Sequence, residues 1–115
     1  MAMKSSYYAR NDPAVTKKKF LLLCQVALGQ VDVIDHEPRD SLPDGPRPGF
    51  NSLQGAGQNY PDPTRDVTLP TGATMPLGLP VKASKYDWGL LQYNEMIVFN
   101  EDQVCQRYIV QYSDA

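Results

Sequence analysis

The sequence has few residues of the types that build metal and nucleophilic sites, with one histidine and two cysteines among 115 residues. His36 lies between Asp35 and Glu37, but a single histidine supplies too few ligands for a typical zinc site. It also supports no serine-histidine-aspartate grouping, so a solvated polar turn is the favoured interpretation. Cys24 and Cys105 match no metal or redox spacing, and we interpret them as two core thiols in a reducing compartment.

Long apolar segments and an excess of positive charge are also absent. The longest strongly apolar run, residues 20–28, is interrupted by Gln25 and is far shorter than the roughly 20 residues that cross a bilayer. Residues 1–8 lack the apolar core of a secretory signal. With 11 Lys and Arg against 13 Asp and Glu, the net charge is −2. We therefore predict no membrane helix and no direct nucleic-acid binding by this segment.

The length and composition allow one small domain and exclude a multidomain enzyme, because 115 residues with 42% hydrophobic residues can build only a modest core. Residues 1–10 predict one or two turns of helix. Nine of the ten prolines lie between residues 38 and 80, which predicts a stretch that is mainly loop. Within it only residues 67–69 and 75–77 suggest short strands, and residues 55–57, Gly-Ala-Gly, indicate loop flexibility.

The apolar segments outside this stretch predict strands. Residues 20–29 form a continuous apolar run, typical of a central strand buried on both faces, and alternation continues through residues 30–33. Residues 93–99 and 104–112 predict two further strands. Because only residues 100–102 and their neighbours separate them, we expect an antiparallel hairpin.

One carboxylate stands out in the first strand of this predicted hairpin. Side chains alternate along a strand, so Glu95 shares its face with Tyr93, Ile97 and Phe99. Burial of an unpaired carboxylate is costly. Glu95 therefore lies either near a strand end with access to water or beside a cleft for a functional purpose. The alternation by itself favours the water-accessible position.

Several segments together resemble the C-terminal half of the catalytic domain of poly(ADP-ribose) polymerases. The match is carried by LLCQVALG at residues 22–29, YNEMIVFN at 93–100, QV at 103–104 and RYIV at 107–110, in the family's order and spacing. Loop segments at residues 48–53, 61–64 and 76–78 are also similar to the family's loops. The resemblance covers essentially residues 1–115. It implies an α+β fold with the mainly antiparallel sheet of ADP-ribosyltransferases, present here as an incomplete domain.

The resemblance also assigns candidate site residues. Glu95 falls on the family's catalytic glutamate, which hydrogen-bonds the ribose next to nicotinamide. Lys4-Ser5-Ser6-Tyr7-Tyr8 resembles a family stretch in which Ser5 would bind the nicotinamide carboxamide, Tyr8 would stack on nicotinamide and Lys4 would lie on the acceptor side. Each of these three residues has an ordinary alternative: a helix-capping hydroxyl for Ser5, core packing for Tyr8 and a solvated charge for Lys4.

The implied activity is transfer of ADP-ribose from NAD+, which is the substrate, to protein side chains or a growing polymer, with release of nicotinamide and without a metal. Cleavage of the C–N glycosidic bond builds positive charge on the ribose, as in glycoside hydrolysis. A fixed carboxylate can stabilise that charge and orient an incoming hydroxyl. The resemblance further implies a nuclear protein related to DNA-repair members of the family, with the cytoplasm as the alternative location.

Two family motifs are missing from the sequence: a histidine in H-G-[ST] and a tyrosine in G-x-Y-F. We therefore expect that the chain is a fragment whose partner is the missing N-terminal half of the catalytic domain, and that alone it binds NAD+ weakly or not at all. Met96 replaces a tyrosine frequent in chain-elongating relatives. The alternatives are a catalytically inactive remnant that acts as an interaction or regulatory module, and an unrelated small β-domain.

Overall fold

The computed structural model describes residues 2–9, 18–34, 44–83 and 91–113. These residues form one short helix and nine strands, most of them antiparallel. The elements are α1 (Ala2–Tyr8), β1 (Lys18–Val26), β2 (Val31–Ile34), β3 (Ser52–Gly55), β4 (Asn59–Pro61), β5 (Val67–Thr68), β6 (Thr74–Met75), β7 (Pro80–Lys82), β8 (Glu95–Val98) and β9 (Val104–Ser113), with 3₁₀ turns at Pro63–Arg65 and Glu101–Gln103. The predominance of antiparallel strands and the short N-terminal helix agree with the sequence prediction.

The strands pair in four separate sets. β1 pairs antiparallel with β9, and the order β2-β3-β8 forms a three-stranded sheet in which β2 and β3 are parallel while β3 and β8 are antiparallel. β4 pairs with β7 and β5 with β6, both antiparallel. The three-stranded sheet is therefore the only described one with an interior strand, and that strand is β3.

The most deeply buried residues lie on β3 and its neighbours. Leu53 is 1% exposed and pairs with Asp32 on β2 and with Ile97 on β8. Ser52 is also fully buried, and its hydroxyl donates to the carbonyl of Leu28 at 2.8 Å. β3 thus lies at the centre of the described fold, inside the stretch that the prolines predicted to be mainly loop.

The prediction that residues 20–29 form a central strand buried on both faces is wrong. β1 exists, but among the described residues it pairs with β9 alone, and Phe20 is 53% exposed. The alternating segment at residues 31–34 is a separate strand, β2, because the chain turns at Gly29, whose φ of 58° lies in the left-handed region that favours glycine. The apolar run therefore correctly predicted a strand but not which strands pair with it.

The predicted hairpin of residues 93–99 and 104–112 is also wrong. Both strands form, but β8 pairs with β3 while β9 pairs with β1. The connecting 3₁₀ turn begins with a capping box between Asn100 and Gln103, and the Gln103 side-chain amide donates to the carbonyls of Ala27 at 2.9 Å and Asn51 at 3.1 Å. These bonds anchor the turn between the two sheets, so the chain leaves one sheet and enters the other.

The proline-rich stretch contains more strand than predicted. β5 and β6 lie at the two segments that the sequence indicated, whereas β3, β4 and β7 were not predicted. Pro61 and Pro80 face each other at the ends of β4 and β7, where a strand tolerates a residue without an N–H group. His36 lies outside the described residues.

The two cysteines do not form part of a core. Cys24 lies on β1 and is half-buried, and Cys105 lies on β9 and is exposed, both as free thiols. The prediction of two core thiols is therefore wrong, because the two-stranded sheet is open to solvent on much of both faces. In the part of the chain that the structure describes, no helix has the length and apolar character needed to span a membrane.

Candidate active site

Glu95 is the first residue of β8 and pairs with Gly55 at the end of β3. Its side chain is 30% exposed, so the carboxylate lies at a strand end with access to water. Gly55 leaves the space beside it open for another side chain. A Cβ atom at Gly55 would lie 2.6 Å from Cδ1 of Leu91 and 3.8 Å from Cβ of Glu95. The absence of a side chain at Gly55 therefore allows Leu91 to pack next to the strand end that carries Glu95.

Lys4 on α1 forms an ion pair with the Glu95 carboxylate. Its side chain is 27% exposed, so the pair is only partly shielded from water. Lys4 is therefore not simply a charge solvated by water, because its ammonium group has a carboxylate partner. The ion pair brings α1, and with it the segment at residues 4–8, to the edge of the three-stranded sheet.

Ser5 and Tyr8 lie on the same helix as Lys4. Ser5 is in the middle of α1 and therefore does not cap its N-terminus, which removes the capping interpretation. Tyr8 is 75% exposed, so it does not pack in a core of the described residues. Tyr8 follows Lys4 by one helical turn, and residues four apart lie on the same helix face. The Tyr8 ring is thus displayed on the side of α1 from which Lys4 reaches Glu95.

The segment at residues 57–59, which no sequence pattern indicated, holds the residues before Glu95 in place. The Gly57 N–H donates to Oδ1 of Asn94 at 2.8 Å, and the Asn94 N–H donates to the carbonyl of Asn59 at 3.2 Å. A Cβ atom at Gly57 would overlap the backbone of Tyr93. The interpretation of Gly55-Ala56-Gly57 as loop flexibility is therefore wrong, because both glycines are positions of close approach and Ala56 is buried.

An ion pair between a buried carboxylate and a largely exposed guanidinium supports the other side of the same sheet. Asp32 on β2 is buried, and its carboxylate accepts two hydrogen bonds from Arg47, with Nε to Oδ2 at 2.8 Å. These hydrogen bonds and the charge of Arg47 lower the pKa of Asp32 below its ordinary value, against the opposing effect of desolvation. The Arg47 guanidinium also lies 5.3 Å from the centre of the Phe50 ring. The pair fastens the chain that leads into β3 onto β2.

No metal-binding cluster was found within the described ranges: none of the His, Cys, Asp and Glu residues there form a group of three that could hold an ion. Helix α1 and the start of β8, which the Lys4–Glu95 ion pair joins, carry a carboxylate, an ammonium group, serine hydroxyls and exposed tyrosine rings. These are groups that bind polar and aromatic parts of a ligand and stabilise developing charge.

Comparison with known proteins identifies the family. A sequence model of the poly(ADP-ribose) polymerase catalytic domain matches residues 1–114. The chain belongs to this family. The family assignment confirms the resemblance seen in the sequence motifs.

Individual members of the family match most of the chain. Poly [ADP-ribose] polymerase 2 of Arabidopsis thaliana is 42% identical over 93 residues, which cover 79% of this chain and 14% of that protein. Poly [ADP-ribose] polymerase 1 of Caenorhabditis elegans is 37% identical over 117 residues, covering 96% of this chain and 12% of that protein. The human protein mono-ADP-ribosyltransferase PARP3 is 30% identical over 95 residues, which cover 80% of this chain and 17% of that protein. The chain thus spans less than a fifth of each relative, and the relatives include both polymerases and a mono-ADP-ribosyltransferase.

Proposed function

We propose that this chain forms the glutamate-bearing part of a catalytic domain that transfers ADP-ribose from NAD+ to protein side chains or to a growing polymer, with release of nicotinamide. The observation that carries the proposal is the ion pair between Lys4 and Glu95. It joins the two segments that resemble family site motifs although they lie at opposite ends of the chain. Family membership over residues 1–114 supports the reaction type.

The proposed roles follow from the chemistry of the side chains. Glu95 would hydrogen-bond the ribose next to nicotinamide and stabilise the positive charge that builds on the sugar as the glycosidic bond breaks. The Ser5 hydroxyl would bind the nicotinamide carboxamide, and the exposed Tyr8 ring would stack on the nicotinamide. The Lys4 ammonium group would hold the Glu95 carboxylate and lie on the side where the acceptor arrives. NAD+ enters this scheme as the substrate.

The open two-stranded sheet supports the proposed partner, which is the remaining part of the catalytic domain. Large apolar side chains are exposed on both strands, including Phe20 and Leu22 on β1 and Tyr108 and Ile109 on β9, the last at 71%. By the strand register, Phe20, Leu22 and Ile109 share one face of this sheet, and exposed apolar side chains grouped in this way are typical of an interface with another polypeptide. The relatives are also much longer than this chain, which covers 14% and 12% of the plant and nematode polymerases. A nuclear location is likewise a proposal, supported by family membership alone.

The experiment that tests the proposal replaces the carboxylate by its neutral isostere in the full-length protein encoded by the gene. Glu95→Gln is expected to abolish formation of polymer while NAD+ binding, measured by calorimetry, changes by less than about threefold. Glu101→Gln is the matched control, since Glu101 is an exposed residue of the neighbouring 3₁₀ turn. A Glu95→Gln protein with the same product yield as the control would overturn the assignment.

A further inference from the structure

We propose that Asn94 is a positioning residue for Glu95, acting through a hydrogen bond to the backbone of Gly57. This inference rests on the proposed function, in which Glu95 is the catalytic residue. It concerns a residue whose side chain forms no part of the proposed NAD+ site, and which acts only by fixing the chain that precedes the carboxylate.

The need for such a residue arises from the place of Glu95 in its strand. The ladder between β3 and β8 runs from Ser52 and Val98 to Gly55 and Glu95, and Glu95 is its last pair. The ladder therefore supports Glu95 from the C-terminal side only. Strand ends open more readily than strand centres, because fewer hydrogen bonds and contacts hold them. A carboxylate at this position stays fixed only if the residues before it are also anchored.

Backbone bonds from the N–H groups of Gln58 and Asn59 to the carbonyls of Leu91 and Gln92, at 2.9 and 3.0 Å, hold the preceding residues. Asn94 adds to this anchor from two directions. Its backbone N–H donates to the carbonyl of Asn59 at 3.2 Å, and its side-chain Oδ1 accepts from the N–H of Gly57 at 2.8 Å. Gly57 has no side chain, so its backbone lies directly against the backbone of Tyr93, which is buried. The residue before Glu95 is thus bonded through its backbone and its side chain to one short segment, residues 57–59. Rotation or sliding of the strand end would break both bonds.

The geometry indicates that Asn94 affects the orientation of the Glu95 carboxylate and does not itself contact the ligand. Successive side chains of an extended chain point to opposite faces, so the Asn94 amide is directed away from the Glu95 carboxylate. The hydrogen bond can therefore influence Glu95 only through the backbone that connects the two residues. Displacement of a catalytic group by about 1 Å can reduce a rate about 100-fold. Loss of the bond is expected to act on the chemical step more than on NAD+ affinity.

The test compares two asparagines that make the same type of bond. Asn51 accepts a hydrogen bond from the backbone N–H of Gln30 through its Oδ1 at 2.9 Å, at the opposite end of β3 from Glu95. Asn94→Leu and Asn51→Leu, each in the full-length protein, remove one such bond. The bond of Asn94 is the more buried of the two, so Asn94→Leu is expected to lower the melting temperature more than Asn51→Leu. Asn94→Leu is expected to lower kcat about 10- to 100-fold with the KM for NAD+ changed by less than about threefold. Asn51→Leu is expected to retain kcat.

A conservative variant separates positioning from packing. The carboxylate of Asn94→Asp can accept the same bond from Gly57, so its kcat at saturating NAD+ is expected to be closer to that of the unaltered protein than to that of Asn94→Leu. If Asn94→Leu does not fold, Asn94→Ala and Asn51→Ala replace the pair, since they remove the same acceptors without added bulk.

The outcomes distinguish this inference from the proposed function. If Asn94→Leu and Asn51→Leu lower kcat equally, Asn94 only stabilises the fold and the positioning inference is wrong. If Asn94→Asp is as impaired as Asn94→Leu, the hydrogen bond to Gly57 is not the cause, which also overturns it. If Glu95→Gln retains full activity, the proposed function itself fails, whatever the Asn94 variants do.

Discussion

Lys4 and Glu95 form an ion pair that joins the helix at the start of the described chain to the first residue of β8. Both side chains are more than a quarter exposed, and ion pairs in such surroundings contribute little to stability. The ion pair therefore matters more for the orientation of α1 relative to Glu95 than for the stability of the fold. It fixes which face of α1 is directed toward Glu95, and Tyr8 lies on that face one turn further along.

Replacement of the lysine is expected to affect transfer more than stability. Lys4→Met keeps much of the apolar length of the side chain but removes the charge that holds the Glu95 carboxylate. We expect the rate of ADP-ribose transfer to fall about 10-fold, while the free energy of unfolding changes by less than about 1 kcal/mol. Activity and thermal unfolding of the full-length protein measure the two effects. Lys82→Met, at an exposed position of β7, is the control, and equal activity of the two variants would contradict the role of Lys4.

The sequence was sufficient to predict β1, β8 and β9 but insufficient to predict β3, β4 and β7 or how the strands pair. Alternation and apolar runs located β1, β8 and β9, because these patterns are typical of extended segments. The pairing of β8 with β3 depends on contacts between distant segments, and the strand pattern of β8 fits a hairpin with β9 equally well. The turn anchored by Gln103 directs β8 and β9 into different sheets. A single glutamine in a turn adds nothing to the periodic pattern of apolar residues from which strands are predicted.

For the site, the family resemblance predicted Glu95 and Lys4, and the structure brings these two side chains together. The resemblance did not identify Gly57 or Asn94. A glycine has no side chain to read, and its importance here comes from the backbone that lies against it. The only available signal was the spacing of Gly55 and Gly57 around a small residue, which is also common in flexible loops.

Addition of a methyl group at Gly57 is expected to destabilise the protein. The Cβ atom of Gly57→Ala would overlap the backbone of Tyr93, and such overpacking costs about 1–3 kcal/mol. Gly45→Ala is the control, because a Cβ atom there meets no other atom within 4 Å and the substitution restricts the unfolded chain. Thermal unfolding is expected to show a lower melting temperature for Gly57→Ala alone. Equal melting temperatures would exclude the close approach at Gly57.

Reversal of the polarity of one side chain in the connecting turn tests how the two sheets are joined. In Gln103→Glu a carboxylate oxygen would face the carbonyls of Ala27 and Asn51, while the bond from the Asn100 N–H could still form. Loss of these donors at a partly exposed site is expected to cost about 1 kcal/mol and to lower the melting temperature by a few degrees. Gln106→Glu, at an exposed position of β9, is expected to have no such effect. A similar loss in both variants would contradict the anchoring role.

The ion pair between the buried Asp32 and the exposed Arg47 predicts a stability that depends on pH. The pKa of Asp32 is lowered in the folded protein, first by the hydrogen bonds from Arg47 and then by its charge. A lowered pKa means that the stabilisation is fully present above the ordinary value of 3.8 and is lost as the pH falls through the lower value of the folded state. In Arg47→Met, Asp32 remains buried without its partner, so the variant is expected to be much less stable at neutral pH.

The difference in melting temperature between the unaltered protein and Arg47→Met is therefore expected to be largest near pH 7 and to shrink at acid pH, as the pH falls below 3.8 and through the lower pKa of Asp32 in the folded protein. Arg107→Met supplies the control, because Arg107 donates to the uncharged Gln25 side chain, at 2.9 Å from Nη2. Its effect on the melting temperature is expected to be the same at both pH values, since no titrating partner is involved. A pH-independent difference for Arg47→Met would mean that the guanidinium acts on β2 through its contact with Phe50 and not through the Asp32 carboxylate.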